Sequence, residues 1–276
     1  MTKENKHIDI KQAIASKNPK LLRMMPGFAL RYLKRIVHED EMNRGLDKFG
    51  HKQGIEFIEE VFNYLEISYT VKGLDKLDPN KRYLFASNHP LGGLDGIILI
   101  HAISKKFKSV KVPSNDLLMN IEQLKNNFIP INKHGSQSKE IAKAMEDAYA
   151  SDSQIFNFPA GLCSRKQGGR IMDLEWKKNF IVKAKKHQRD VVPVFFNGRN
   201  SNFFYNLAKI RKFLGIKVNI EMLYLVDEMF KQRGKNMFVK IGDPIPYKTF
   251  DSSKTPHSWA NWLKQKVYEL DKNHDS

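Results

Sequence analysis

The stretch SNHPLGGLDG, residues 87–96, places a histidine and a carboxylate on one short, glycine-rich turn between two apolar runs. The preceding residues, YLFA at 83–86, favour a buried strand, and GIILIHAI at 96–103 favours a buried helix. Open α/β sheets bind ligands at the carboxyl ends of their strands. The turn therefore predicts a reactive side chain, His89, at the ligand-binding edge of such a sheet.

His89 and Asp95 suit general base catalysis. A neutral imidazole takes the proton of an attacking hydroxyl when a carboxylate holds the ring in one tautomer and stabilises the imidazolium. Gly92 and Gly93 allow the backbone between the two residues to fold back, so that Asp95 reaches the ring. The same residues also suit a structural interpretation, in which His89 ends a strand and Asp95 caps the next helix. From this stretch alone both interpretations stay open.

A second apolar run enters a polar loop later in the chain, IFNFPAGLCSR at residues 155–165. With the turn, it resembles the glycerolipid acyltransferases, whose lysophosphatidic acid acyltransferase branch carries an Asn-His-x4-Asp motif, a Phe-Pro-Glu-Gly-Thr-Arg-Ser motif and a Val-Pro-Val segment. The residues that match the first two motifs are Asn88, His89, Asp95, Phe158, Pro159, Gly161 and Ser164. Residues 192–194 match the third, and FIPINK at 128–133 resembles an intermediate block that ends in a basic residue. The four blocks keep the family's order between residues 80 and 245, and this order supports the resemblance more than any single block.

The chain departs from the family pattern at three places. Five residues, rather than four, separate His89 from Asp95, so the glycine turn must restore their pairing. Ala160 stands where the family has a glutamate, and Cys163 stands where it has an arginine implicated in holding the acceptor's phosphate. Two kinds of acceptor stay open. The acceptor either carries a phosphate that is bound by another cation, Arg165 or Lys133, in place of the missing arginine, or it lacks that phosphate, as in the branch that acylates lyso-ornithine or lyso-glycine lipids.

The resemblance implies an O-acyltransferase. It implies transfer of a fatty acyl group from a thioester of acyl carrier protein or coenzyme A to a lyso-lipid hydroxyl. The acceptor is then 1-acyl-glycerol-3-phosphate or a similar lyso-lipid, or alternatively a lyso amino-acid lipid. His89 acts as the general base and Asp95 orients it, and thioester exchange requires neither a metal nor a redox cofactor. The predicted substrate-binding residues are Lys133, Gly161, Ser164 and Arg165, with Lys133 and Arg165 holding the anionic part of the acceptor.

Alternating strand and helix patterns predict an α/β fold with a mixed central sheet flanked by helices and a helical N-terminal extension. We expect residues 1–66 to form the helical N-terminal region, a candidate for membrane docking, and residues 67–276 to form the α/β acyltransferase domain. The predicted strands span 67–71, 83–86, 105–112, 128–131, 190–196, 218–225 and 237–241. The predicted helices include 54–66, 115–124 and 177–186. Pro193 is expected at a strand end or on an edge strand, because proline cannot donate to a ladder.

A net charge of +17 predicts attraction to an anionic surface, such as nucleic acid, a membrane leaflet or an acidic carrier protein. No recognised nucleic-acid motif accompanies the charge, so we expect no nucleic-acid partner. Residues 20–43 form a basic amphipathic pattern in which Phe28 and Ile36 share an apolar face, suited either to an anionic leaflet or to the protein core. Residues 200–215 interleave aromatic and cationic side chains and are a second candidate for membrane contact.

The single cysteine excludes a disulfide framework and a cysteine-rich zinc site, and the histidines lack ligand spacing. No run approaches the roughly 18 apolar residues that span a bilayer, and the N-terminus lacks the apolar core of a secretory signal. We therefore expect a cytoplasmic protein, peripheral on the inner face of the cell membrane. The competing class is a non-catalytic basic protein that binds membranes or nucleic acid, which leaves His89 and Asp95 without a role.

Overall fold

The computed structural model describes residues 7–114, 119, 121–131 and 138–272. In this part of the chain the helices are α1 Ile10–Lys17, α2 Pro19–Met24, α3 Gly27–Ile36, α4 Glu39–Phe49, α5 Gly54–Leu65, α6 Leu94–Ser104, α7 Ser138–Ala150, α8 Asn179–Lys186, α9 Asn202–Phe213, α10 Leu225–Phe230 and α11 Pro256–Lys272. The strands are β1 Ser68–Lys72, β2 Tyr83–Ser87, β3 Val110–Ser114, β4 Phe128–Pro130, β5 Gln154–Asn157, β6 Arg165–Gln167, β7 Arg170–Met172, β8 Asp190–Asn197 and β9 Asn236–Ile241.

Seven strands form one sheet in the order β1-β9-β8-β2-β5-β3-β4. Neighbouring strands are parallel except for β8 and β9, which pair antiparallel. The sheet is therefore mixed, and the predicted fold class is confirmed. β2 lies in the middle of the order and is buried along its whole length. The glycine-rich turn follows Ser87, the last residue of β2. The turn therefore lies near the middle of the edge formed by the carboxyl ends of the parallel strands, where open α/β sheets bind ligands.

Helices cover both faces of this sheet. Alternate side chains of the central strands enter two cores, with Phe85 and Val192 on one side and Leu84 and Val191 on the other. The first core includes apolar residues of α5 and α6, and the second includes those of α8 and α11. α5 thus packs against the sheet although it belongs to the predicted N-terminal region. The predicted boundary after residue 66 itself stays a prediction.

Pro193 lies inside β8, between β2 and β9, so its predicted place at a strand end or edge is wrong. The carbonyl of Pro193 accepts the N–H of Gly242 at 2.8 Å, which shows that its nitrogen faces the chain leaving β9. β9 ends at Ile241, and the chain pairs again with β8 only where Ile245 bridges Val191. Pro193 has no N–H to donate in return, so its pairing with Gly242 is one-sided at the point where β9 ends.

The segment predicted as a strand at 218–225 is helical instead. Ile220–Tyr224 form a 3-10 helix that continues into α10. Glu221 is buried within this turn, and its carboxylate pairs with the guanidinium groups of Arg165 and Arg211, each at 2.8 Å. A buried carboxylate requires such partners. These ion pairs join Glu221 to distant segments of the chain, and the apolar residues around Glu221 do not reveal them.

Other predicted boundaries shift. The strand predicted at 105–112 is β3, which begins only at Val110 because α6 continues to Ser104. Half of the helix predicted at 115–124 lies outside the described residues, and Glu122–Asn127 form a 3-10 helix. β6 and β7 form an antiparallel hairpin that the sequence did not predict.

The amphipathic pattern at 20–43 is divided between several helices. α3 ends at Ile36, and His38 adopts the left-handed region with φ of 53° before α4 begins. Phe28 is 68% exposed, whereas Ile36 is buried. Of these two residues, Phe28 is therefore available at the surface, whereas Ile36 belongs to the core, one of the two alternatives that the sequence left open. Within the described ranges, no helix combines the length and the apolar character needed to cross a membrane.

Candidate active site

The turn that follows β2 carries both residues of the predicted catalytic pair. Asp95 lies in the first turn of α6, and His89 lies two residues beyond the end of β2. The Nδ1 atom of His89 is 2.9 Å from Oδ2 of Asp95. The structure therefore joins the two residues, as predicted, in spite of the longer spacing between them.

Asp95 is held rigidly in this position. Its side chain is fully buried, and Oδ2 also accepts the backbone N–H of Leu91 at 2.9 Å. Oδ1 accepts the N–H of Gly96 at 3.0 Å. These donors stabilise the ionised carboxylate, which in turn accepts a hydrogen bond from the Nδ1–H group of His89. The second ring nitrogen, Nε2, is then the basic one.

Gly92 makes the tight turn between the two residues. Its φ of +82° lies in the left-handed region, and a Cβ there would lie 2.9 Å from Cδ2 of Leu225. Only glycine fits such a backbone and such a contact. Gly93 differs, because its φ of −168° is extended and a Cβ there would meet no atom within 4 Å. Of the two glycines, Gly92 is the one that the turn requires.

The second sequence block meets the turn at the same edge of the sheet. β5 is parallel to β2, so the loop after β5 leaves the sheet beside His89. The rings of His89 and Phe158 stack with centroids 3.8 Å apart and an interplanar angle of 26°. The backbone N–H of Ser164 donates to the carbonyl of His89 at 2.7 Å. The two blocks thus form one site, in which the loop positions the imidazole.

Asp173 is the site residue that the sequence did not predict. This fully buried carboxylate accepts the backbone N–H of His89 at 3.1 Å and the hydroxyl of Ser164 at 2.6 Å through Oδ1, and the indole N–H of Trp176 at 2.8 Å through Oδ2. Burial raises the pKa of Asp173, while the hydrogen bonds from these donors oppose that rise. Asp173 follows β7 and belongs to no motif, so no sequence signal marked it. It ties the backbone of the catalytic turn to the second block.

Ser164 therefore has a positioning role in this structure. Its side chain is buried, its hydroxyl is committed to Asp173 and its N–H to His89. Asn88, the first residue of the motif, is also structural. Its Nδ2 donates to the carbonyl of Phe196 at 2.9 Å, and its Oδ1 accepts the N–H of the same residue at 2.7 Å. Asn88 thereby fastens the turn to β8.

The position of Arg165 does not fit its predicted role, in which it binds the anionic part of the acceptor. Its guanidinium is buried, pairs with Glu221 at 2.8 Å and donates to the carbonyl of Cys163 at 2.7 Å. The charge of Arg165 is thus already compensated inside the protein. Burial raises the pKa of the Cys163 thiol to about 11, so this residue is a protonated thiol at neutral pH.

The remaining two predicted ligands have different outcomes. Gly161 has φ of +66° and ends the turn in which its N–H donates to the carbonyl of Phe158 at 3.0 Å, so it shapes the loop beside the imidazole. Lys133 lies outside the described residues. β4, which precedes Lys133, is the edge strand three positions from β2 in the sheet order. The substrate-binding roles of both residues stay predictions.

The arrangement provides one accessible base in an otherwise buried site. The His89 side chain retains 15% exposure, whereas Asp95 has none. Among the described residues, Nε2 of His89 has no hydrogen-bond partner. A hydroxyl that approaches Nε2 can therefore lose its proton to the ring, and the positive charge that forms faces the Asp95 carboxylate. The geometry suits the transfer of an acyl group to an alcohol.

Comparison with known proteins finds matches along nearly the whole chain. A lyso-glycine lipid O-acyltransferase of Bacteroides thetaiotaomicron is 50% identical over 264 residues, which cover 95% of this chain and 97% of that protein. A protein of the same name from Phocaeicola vulgatus is also 50% identical over 264 residues, with 95% of each chain covered. The crystal structure of the 1-acyl-sn-glycerophosphate acyltransferase PlsC from Thermotoga maritima matches with a TM-score of 0.48 and 18% identity, over 95% of this chain and 93% of that one.

The family assignment rests on the match along the chain together with the site. The family model described as acyltransferase matches residues 12–276, which include both sequence blocks and the helices and strands that position them. The resemblance noted from the motifs is thereby confirmed. The chain belongs to the acyltransferase family, and the histidine, its buried carboxylate and the loop packed against them are its candidate reactive centre.

Proposed function

We propose that this acyltransferase moves a fatty acyl group from an acyl thioester to the hydroxyl of a lyso amino-acid lipid, of which lyso-glycine lipid is the leading candidate. The observation that supports the proposal most directly is the 2.9 Å contact between Nδ1 of His89 and the buried carboxylate of Asp95. That contact leaves Nε2 as a base for an alcohol.

The reaction follows from this geometry. The acceptor hydroxyl attacks the thioester carbonyl while Nε2 of His89 takes the hydroxyl proton, and the buried Asp95 carboxylate stabilises the imidazolium. The tetrahedral intermediate then collapses with cleavage of the C–S bond. The imidazolium returns the proton to the departing sulfur, which yields an ester and a free thiol. The thioester belongs to acyl carrier protein or to coenzyme A, and the positive net charge of +17 favours either anionic partner.

The identity of the acceptor is inferred from the relatives and from one substitution. Two proteins at 50% identity are named lyso-glycine lipid O-acyltransferases. Cys163 occupies the place of the arginine that the phosphate-binding branch uses, and the nearby Arg165 is buried and paired with Glu221. These features favour the amino-acid-lipid alternative over 1-acyl-glycerol-3-phosphate. A non-catalytic basic protein fits neither the reactive pair nor the relatives.

We also propose that the enzyme docks on an anionic membrane leaflet from the cytoplasmic side. Two groups of exposed apolar residues, Phe28 and Tyr32 on α3 and Phe203 and Phe213 on α9, form what we call the apolar surface. Tyr224 connects the groups, because its hydroxyl is 2.7 Å from that of Tyr32 and its ring centroid is 4.9 Å from that of Phe203. Neighbouring exposed cations on the same helices, Arg31, Lys209 and Lys212, suit contact with anionic headgroups.

The proposal is tested by direct assay. Purified protein is incubated with labelled palmitoyl thioesters of coenzyme A and of acyl carrier protein, together with N-(3-hydroxyacyl)glycine, the corresponding ornithine lipid or 1-acyl-glycerol-3-phosphate. We expect an ester of the glycine acceptor to form at the highest rate. Preferential acylation of 1-acyl-glycerol-3-phosphate would contradict the proposed acceptor, and absence of transfer to every lyso-lipid would contradict the proposed function.

A further inference from the structure

A cavity of about 280 Å³ is lined by residues that take no part in the arrangement of His89 and Asp95. It lies between the start of α9 and the end of α10. Its lining includes Arg199, Asn200, Ser201, Glu228, Lys231 and Lys235. Three of these residues are cationic and one is anionic, so the cavity suits an anionic group.

The cavity wall touches the catalytic turn. Nδ2 of Asn200 donates to the carbonyl of Pro90, the residue directly after His89, at 3.3 Å. Gly198 packs against Leu91 of the same turn, where a Cβ would lie 3.2 Å from Cγ of the leucine. A small molecule held in this cavity therefore lies next to the segment that carries the general base.

The charges of the cavity do not cancel. Glu228 is fully buried and is satisfied by the N–H and hydroxyl of Ser201, at 2.5 and 2.6 Å, and by Lys231 at 2.9 Å. Lys231 also pairs with Asp227, at 2.7 Å. Arg199 and Lys235, by contrast, donate to neutral amide oxygens, those of Asn202 at 2.7 Å and Gln232 at 3.1 Å. These two cations are available to a carboxylate.

Asn200 indicates which chemical group of a ligand would lie beside its carboxylate. The side chain is 2% exposed, and its Oδ1 has no hydrogen-bond partner among the described residues. The Pro90 carbonyl fixes the orientation of the amide, because it accepts from Nδ2 and leaves Oδ1 as the unpaired acceptor. A buried acceptor without a donor is unfavourable. An ionised phosphate brings no N–H to such an oxygen, whereas an N-acylated amino acid carries an amide N–H next to its carboxylate.

We propose that this cavity binds the amino-acid end of the acceptor, with the carboxylate between Arg199 and Lys235 and the amide N–H directed to Oδ1 of Asn200 through a small adjustment of the wall. This inference rests on the proposed function, since it requires an N-acyl amino acid that carries a free hydroxyl. The cavity then sets acceptor specificity, and the hydroxyl extends from it along the catalytic turn to Nε2 of His89.

The test removes both cations and compares two acceptors. Arg199→Gln with Lys235→Gln is the test variant, and Lys81→Gln with Lys108→Gln, two exposed lysines that precede β2 and β3 at the opposite edge of the sheet, is the control with the same change of charge. The acceptors are N-(3-hydroxyhexadecanoyl)glycine and its methyl ester. KM is measured separately for the acceptor and for the acyl thioester.

The wild type and the control variant should prefer the free acid over the ester. In the test variant we expect KM for the free acid to rise roughly tenfold, because charge-assisted hydrogen bonds are lost, while values for the ester and the thioester stay unchanged. A test variant that keeps the preference for the acid overturns the inference, as does one in which only KM for the thioester rises. Failure of the wild type to acylate the glycine acceptor at all is a different result, which overturns the proposed function as well.

Discussion

Asp95 and His89 form an unequal pair, in which the carboxylate is fully buried while the imidazole retains 15% exposure. The Oδ2 atom that lies 2.9 Å from Nδ1 of His89 also accepts the N–H of Leu91. One oxygen thus holds both the ring and the turn that carries the ring. The pair orients a base toward the surface at little cost when the reaction begins, since the anion is already in place.

Replacement of Asp95 by Asn should lower kcat by about 10²- to 10⁴-fold, the range in which a positioned general base contributes. The amide cannot stabilise an imidazolium, and its NH₂ group opposes the N–H donors of the turn. Acceptor KM should change little, because Asp95 does not face the acceptor. Steady-state kinetics on the folded variant, checked by circular dichroism, measure both quantities. A variant with wild-type kcat would remove Asp95 from the mechanism.

Replacement of Arg165 by Met should destabilise the protein by about 3 kcal/mol, because Glu221 then keeps a buried charge with one partner fewer. Urea unfolding measures this loss. Arg170→Met, an exposed position on the same hairpin, is the control and should change little. Acceptor KM of the Arg165 variant should stay within about twofold of the wild type, a change too small for a lost charge-assisted contact. A large rise in acceptor KM without loss of stability would instead restore the role of Arg165 as a ligand.

The proposed membrane docking uses exposed aromatic residues of the apolar surface. Phe28 is 68% exposed and Phe213 is 89% exposed. The double change to Ser should reduce partition into vesicles that contain phosphatidylglycerol by roughly tenfold or more, because each ring loses apolar burial in the interface. Flotation measures the bound fraction. Val182→Ser, at an exposed apolar position of α8, is the control, and equal flotation of all three proteins would assign docking to another surface.

Acid should weaken the contact between α7 and α8 through Glu146. Hydrogen bonds from Lys183, then Lys186, lower the pKa of Glu146 from 4.5 to about 2. A carboxyl with a lowered pKa stabilises the fold above its ordinary value, and this stability is lost as pH falls from about 4.5 toward about 2. Glu146→Gln should therefore cost roughly 0.5–1 kcal/mol at pH 7, a value reduced by solvent screening.

The difference between the Gln variant and the wild type should shrink as the pH approaches 2 in urea titrations across that range. A constant difference at every pH would show that the ion pairs of Glu146 do not contribute to stability.

Local features of the site were predictable from the sequence. An apolar strand, a turn with a left-handed glycine and an apolar helix are encoded within one short segment, so the positions of His89 and Asp95 followed directly. Proximity of the second block followed from the parallel arrangement of β2 and β5, which strand and helix alternation implies.

Contacts between distant segments were not predictable. Asp173 is 84 residues from His89, and the Arg165–Glu221 pair spans 56 residues. A single buried carboxylate in a loop carries no periodic signal, so neither partner could be assigned from the residues beside it. The buried pair accounts for two features together: Arg165 is not a free cation, and the segment around Glu221 is a turn and not the predicted strand.

The proposed mechanism has Nε2 of His89 take the acceptor's proton. It is tested most directly by the acyl-transfer rate of His89→Ala at saturating thioester and acceptor, with vesicle flotation and circular dichroism as controls for docking and folding. The account predicts that kcat falls about 10²- to 10⁴-fold while flotation and the spectrum are unchanged. A folded His89→Ala protein that transfers the acyl group at the wild-type rate would contradict it.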